Sequence, residues 1–135
     1  MTMEGEINDI DSIVLYWRTS SDLNYSTMQN LMKTKEYPWA LFMGHLVIEK
    51  LIKALYVKKL QKHPLLSHDL LRLFEKIDVS LPLGYDEWLD KITTFNLNAR
   101  YDDYKQSFHK LCTIDFTNEW INKIEILRQW LIRQL

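Results

Sequence analysis

The sequence predicts an all-α protein: one domain over 1–135, folded as an antiparallel up-down bundle of four to five helices. Three observations carry this. Apolar residues recur at steps of three and four over several long stretches, the period of a helix face. Only three Gly and three Pro occur in 135 residues, under half the roughly 12% of an average chain, whereas sandwiches and barrels need many turn residues. Hydrophobic residues at 47% and charged residues at 26% are globular values, enough for a core and against disorder.

The elements follow in order. Residues 1–8 are expected to fray. From Asp9 to about Thr34 a stripe runs through Ile10, Ile13, Val14, Trp17, Ser21, Asn24, Met28, Leu31 and Met32. Its polar middle, Ser20, Ser21 and Asn24, is either a break or a set of small residues that admits a neighbouring helix; one long helix is the preferred reading. Pro38 suits the first turn of a second helix, where its missing N–H is not needed. That helix, 38 to 62, is apolar around most of its circumference and is expected at the centre. Pro64 ends it, and Ser67 or Asp69 can cap a short third helix bearing Leu70, Leu71, Leu73 and Phe74. A fourth, from Asp86 to Leu97, presents Trp88, Leu89, Ile92 and Phe95 before a polar junction at Asn96, Asn98 and Arg100. Residues 104 to 112 can add a turn or two. Asp115 or Thr117 is the expected cap of a last helix, with a stripe of Trp120, Ile124, Leu127, Leu131 and Leu135.

Composition excludes several function classes. Seventeen Lys and Arg balance 18 Asp and Glu to a formal charge of −1, so a nucleic-acid site would have to be a local basic patch. Cys112 is the only cysteine, so no disulfide forms within the chain and no cysteine-based zinc site closes within it. The N-terminus does not resemble a secretory signal, and the longest strongly apolar stretch, 38 to 48, is far short of the ~20 residues that span a bilayer. A cytoplasmic location and no membrane association are expected. No glycine spacing builds a phosphate-cradling loop, no H-E-x-x-H pattern supplies metal ligands, and no cofactor is expected. Cys112 reads as a small buried apolar residue rather than a catalytic thiolate. Seventeen aromatic residues are more than a small bundle normally hides, which points to an aromatic-rich dimer interface.

Three constellations can carry chemistry. On the second helix His45, Glu49 and Lys53 succeed one another at i,i+4, with Lys50 beside them. They form either a solvated stripe with a weak ion pair or a polar strip facing a groove or partner. His68 beside Asp69 is either an acid/base pair or part of a helix cap. Around Asn98, Arg100 and Tyr101 a guanidinium can grip a phosphate and a ring can stack on a base, unless Asp102 or Asp103 takes up Arg100 in an ion pair.

These stretches together resemble one family. Trp39-Ala40-Leu41-Phe42-x-x-His45-x-x-x-Glu49-Lys50-x-x-Lys53-Ala54-Leu55 is similar to the "A-x-F-x-x-x-x-x-x-E-K-x-x-K-A-L" helix of HEPN domains, the higher-eukaryote and prokaryote nucleotide-binding group. Ser67-His68-Asp69-Leu70 resembles its "t-H-D-L" segment and Phe95-Asn96-Leu97-Asn98-Ala99-Arg100-Tyr101 its "f-N-x-x-A-R-Y-P" signature, with Asp102 where the proline is expected. The resemblance implies a helical bundle that usually dimerises, with a groove lined by the second and third helices and the arginine segment. His45, Glu49, Lys50, Lys53, His68, Asp69, Asn98, Arg100 and Tyr101 are the ligand-binding candidates. Family members include companions of a minimal nucleotidyltransferase, metal-independent ribonucleases of toxin–antitoxin type with R-x4-6-H, and interaction modules. Here no arginine is followed by a histidine at that spacing; Arg100 and His109 have eight residues between them. The resemblance therefore implies a module that binds nucleotide, RNA or a nucleotidyltransferase without catalysis. A ribonuclease using Arg100 with His109 or His68 is the alternative, and a structural dimerisation module the third.

Overall fold

A computed structural model describes residues 9–135, apart from the side chain of Asp102. The expected frayed segment, 1–8, lies outside the described residues. Among the described residues six helices follow in order: α1 (Ile10–Lys33), α2 (Tyr37–Leu60), α3 (Leu70–Glu75), α4 (Tyr85–Arg100), α5 (Asp102–Leu111) and α6 (Ile114–Gln134). No strand occurs among the described residues.

Helix α1 is continuous through its polar middle, and the reason is packing. Ser21 is fully buried and donates its hydroxyl to the Val47 carbonyl at 2.8 Å, so a small side chain there seats α2 against α1. Trp17 meets Lys53, Ser21 meets Val47 and Asn24 meets Met43, one number falling as the other rises, which makes α1 and α2 an antiparallel hairpin. Asp9 caps α1 by accepting from the Ser12 N–H. The α1–α2 turn carries Lys35 in the left-handed region, φ 63°, a place usually taken by glycine after a helix.

Helix α2 is the core of the molecule: Ala40, Leu41, Val47, Ile48, Leu51, Ile52, Ala54, Leu55 and Val57 are all completely buried. Its neighbours are α1, α6, α4, α3 and, least extensively, α5. Gly44 lies at a close approach of α2 to α1 and α6; a Cβ there would come to 2.5 Å from Ile124 Cδ1 and 3.3 Å from Met28 Sδ. Beneath α4, Phe95 is ringed by Phe108, Phe116 and Trp120, with centroids 5.6 to 6.3 Å away. The segment expected to add a turn or two becomes the ten-residue α5, which supplies Phe108 to this cluster.

The cap of the last helix differs from expectation. Thr113, not Asp115 or Thr117, accepts from the Phe116 N–H at 3.2 Å, because its extended backbone turns the hydroxyl over the first turn. Thr117 is buried inside the helix instead. Cys112 is buried, as expected, and burial pushes its thiol up to about 12, so it carries no thiolate at neutral pH.

Candidate functional site

The α2 stripe is not a solvated face. His45 is 0% and Glu49 3% exposed, and Lys53 is also buried, so the solvated reading gives way to a polar strip covered by other elements. The covering elements are the α2–α3 loop and the C-terminal half of α4. Lys53 donates to Glu49 Oε2 at 3.1 Å, while its ammonium lies 5.2 Å from the Trp17 ring centroid. The other carboxylate oxygen, Oε1, lies 2.8 Å from His68 Nδ1, which donates to it. Two charge-assisted partners thus satisfy a carboxylate that would be very costly to bury alone.

The second half of the network runs through His45. Its Nε2 lies 2.9 Å from the carbonyl oxygen of His68. A carbonyl only accepts, so that nitrogen carries the proton. Burial lowers the pKa of His45 below the ordinary histidine value, opposed by the carbonyl bond and Glu49, so the ring is neutral at pH 7. Nδ1 is therefore an acceptor, and it receives the Asn96 amide Nδ2 at 3.4 Å. That orientation leaves Asn96 Oδ1 facing Arg100, where it accepts from Nε at 2.9 Å and from a terminal guanidinium nitrogen. The proton directions agree throughout: Arg100 to Asn96, Asn96 to His45, His45 to the backbone of His68, and the His68 ring to Glu49.

The loop is held from both sides. Asp69 caps α3 by accepting from the Arg72 N–H, and Ser67 Oγ accepts from the Asp69 N–H. The Leu70 N–H donates to Thr93 Oγ1 on α4 at 3.1 Å. His68 is consequently fixed in backbone and at Nδ1, yet its side chain is 63% exposed. Arg100 is likewise fixed along its Nε edge and exposed, with its guanidinium 6.0 Å from the Phe42 centroid and 5.3 Å from that of Tyr101. Two outward groups, one imidazole and one guanidinium, are joined by a single buried polar chain. Such a pair suits an anion with several acceptor oxygens.

The remaining candidates fall differently. Lys50 is only partly covered, burial lowers its pKa, and its ammonium is not part of the hydrogen-bonded network. Asp69 is engaged in the α3 cap, and Asn98 is not among the residues of the network. Tyr101 is exposed at the α4–α5 corner beside Arg100. Asp102, the expected competitor for Arg100, has its side chain outside the described residues. His109 lies on α5, in the wall of a separate cleft, and among the described residues no hydrogen bond links it to Arg100 or His68. Asn96 and Thr93 are site residues that the sequence candidates lack. Their signal is present in the polar steps 93, 96 and 100, which share one face of α4.

Among the described residues no group of three or more His, Cys, Asp or Glu could hold a metal ion, and no helix is long and apolar enough to cross a membrane. The crystal structure of TT1696 from Thermus thermophilus is similar in fold, with a TM-score of 0.77 over 90% of this chain and 98% of that one, at 18% identity. No curated protein is significantly similar in sequence. The model of the HEPN domain family matches residues 14–135, nearly the whole chain. On that match the chain belongs to the HEPN domain family.

Proposed function

We propose that the protein is a binding module that takes a nucleotide or RNA phosphate on the face formed by Arg100 and His68. The carrying observation is the buried chain from Lys53 and Glu49 through His68, His45 and Asn96 to Arg100. Its members orient two cationic or proton-donating groups before any ligand arrives, which lowers the ordering cost of binding. Arg100 spends Nε and one terminal nitrogen on Asn96 and keeps its remaining terminal N–H groups for phosphate oxygens, and Tyr101 offers a ring for a base. Isothermal titration with ATP, AMP and a short RNA is expected to give saturable heat, weakened about tenfold or more in Arg100→Ala, as loss of one charge-assisted contact implies. No heat from any of them would remove this reading and leave a protein partner, of minimal nucleotidyltransferase type, as the occupant of the face.

A second reading has its own observation. Glu49 holds His68 Nδ1 so that Nε2 is directed away from it, the arrangement of an oriented acid/base imidazole. With Arg100 to stabilise phosphate charge, this pair would perform metal-independent RNA cleavage. His68, rather than His109, is the histidine for that role. Transfer RNA incubated with chelator and protein is expected to be cut by wild type and not by His68→Ala under this reading. Intact RNA at high protein concentration dismisses it. Either function is expected in a homodimer.

A further inference from the structure

Helix α1 turns Ser21 and Met28 into the core and leaves its opposite face uncovered. On that face Leu15 is 64%, Tyr16 61% and Leu23 68% exposed. A groove of about 380 Å³ runs beside them past Ser12, Thr19 and Ser20. Tyr16 is braced edge-on by Trp17, with 5.1 Å between ring centroids. The order of residues along the face is symmetric. With Thr19 as centre, a leucine stands four residues away on either side, Leu15 and Leu23, and a serine seven away, Ser12 and Ser26. Steps of three and four keep all five on one side of the helix, and none is charged.

We propose that this face binds the same face of a second copy of the chain, the two α1 helices running antiparallel about a two-fold axis at Thr19. An isologous interface is complementary to itself. A stripe that has the same order from either end meets that condition in the antiparallel sense: Leu15 shares a layer with the second copy's Leu23, Ser12 with its Ser26, and Thr19 with its own copy. Charge selects the same partner. Arg18 and Asp22 border the stripe on one side, one residue before Thr19 and three after it. The two-fold axis preserves that side, so each Arg18 comes beside the second copy's Asp22, whereas a parallel pair sets Arg18 beside Arg18. Within the chain this ion pair is loose. Arg18 Nε lies 3.6 Å from Asp22 Oδ1, is shielded from solvent, and has no hydrogen-bond partner among the described residues. A second carboxylate gives the guanidinium an acceptor. None of these residues belongs to the polar chain that serves Arg100, so the inference stands independently of the function proposed above.

Cross-linking at the axis is the direct test. Helix axes about 8–10 Å apart and helix radii of about 2.3 Å bring the two Cα atoms of residue 19 to about 3.5–5.5 Å, within reach of a disulfide. Mild oxidation of the intact Thr19→Cys protein is expected to give a covalent dimer. Ser26→Cys alone is expected to give none, because its two copies stand about 21 Å apart along the axes, whereas an equal mixture of Ser12→Cys and Ser26→Cys is expected to link. Cys112 is buried and supplies no competing bridge. In sedimentation the wild type is expected at about twice 16.3 kDa, and Leu23→Glu is expected to raise the dimer dissociation constant at least tenfold while keeping the helical circular dichroism of wild type. Arg100→Ala is expected to remain dimeric. The proposal is overturned by a monomeric wild type at high concentration, by a dimer that Leu23→Glu leaves unchanged, or by a dimeric Thr19→Cys that links no better than Ser26→Cys.

Discussion

His45 is the residue on which the proton directions of the site depend. Its neutral form donates to one side and accepts on the other, so protonation at Nδ1 would set a donor against the Asn96 amide. Its pKa is lowered in the folded protein, chiefly by burial. The unfolded chain therefore takes up a proton near pH 6.5 that the folded chain refuses until lower pH. This contribution to stability is complete above about 6.5 and is lost as pH falls below it. Urea unfolding at pH 7.5 and 5.5 is expected to show a larger loss in wild type than in His45→Gln, each relative to its own value at pH 7.5; equal losses would contradict the assignment. Asn96→Ala leaves His45 Nδ1 unpaired and removes the side-chain acceptor of Arg100, and it is expected to cost about 1–3 kcal/mol of stability, measured by the same unfolding experiment. In the sequence the histidine, glutamate and lysine are visible as a polar stripe, but their burial is not. Spacing within one helix says which residues share a face, and only the loop and α4 decide whether that face is covered.

At the scale of elements, the tight contact is α2 against α6 at Gly44. Alanine there gains helix propensity of about 1 kcal/mol but meets Ile124 Cδ1 in a filled core. A double-mutant cycle separates the two effects. Gly44→Ala is expected to be less favourable in wild type than in an Ile124→Val background by about 1–2 kcal/mol, since valine lacks the obstructing methyl. Additive effects in thermal or urea unfolding would show that the helices simply move apart. Helix identities and order are legible in the sequence because each long helix carries a 3.6-residue apolar stripe. The cap of α6 is less legible: Thr113, Asp115 and Thr117 are all capable cappers, and the choice falls to the extended backbone after Cys112. The ten residues of α5 read only as a turn or two because their apolar content is low, and Phe108 alone ties them deeply to the core.

At the scale of the whole molecule, a run of contacts joins segments far apart in the chain: Trp17 of α1 with Lys53 of α2, Glu49 with His68 of the loop, His45 with Asn96 of α4, and Phe42 with Arg100. The motifs name the participants, and the up-down packing of α2 beside α4 makes them neighbours. The aromatic count argues for a dimer, yet many of these rings pack on one another within the chain; Tyr16, Trp39, Tyr101 and Tyr104 are among those left exposed. Light scattering is expected to report about twice 16.3 kDa, and a mass of 16.3 kDa at high concentration would contradict the dimer. The central claim is that Arg100 and His68 act as one anion-binding surface, and nitrogen-detected NMR of the histidine and arginine side chains tests it most directly. On titration with a short RNA, the His68 ring and the Arg100 guanidinium are predicted to shift together and saturate at the same concentration. Shifts in only one of them, or in neither, would contradict the account.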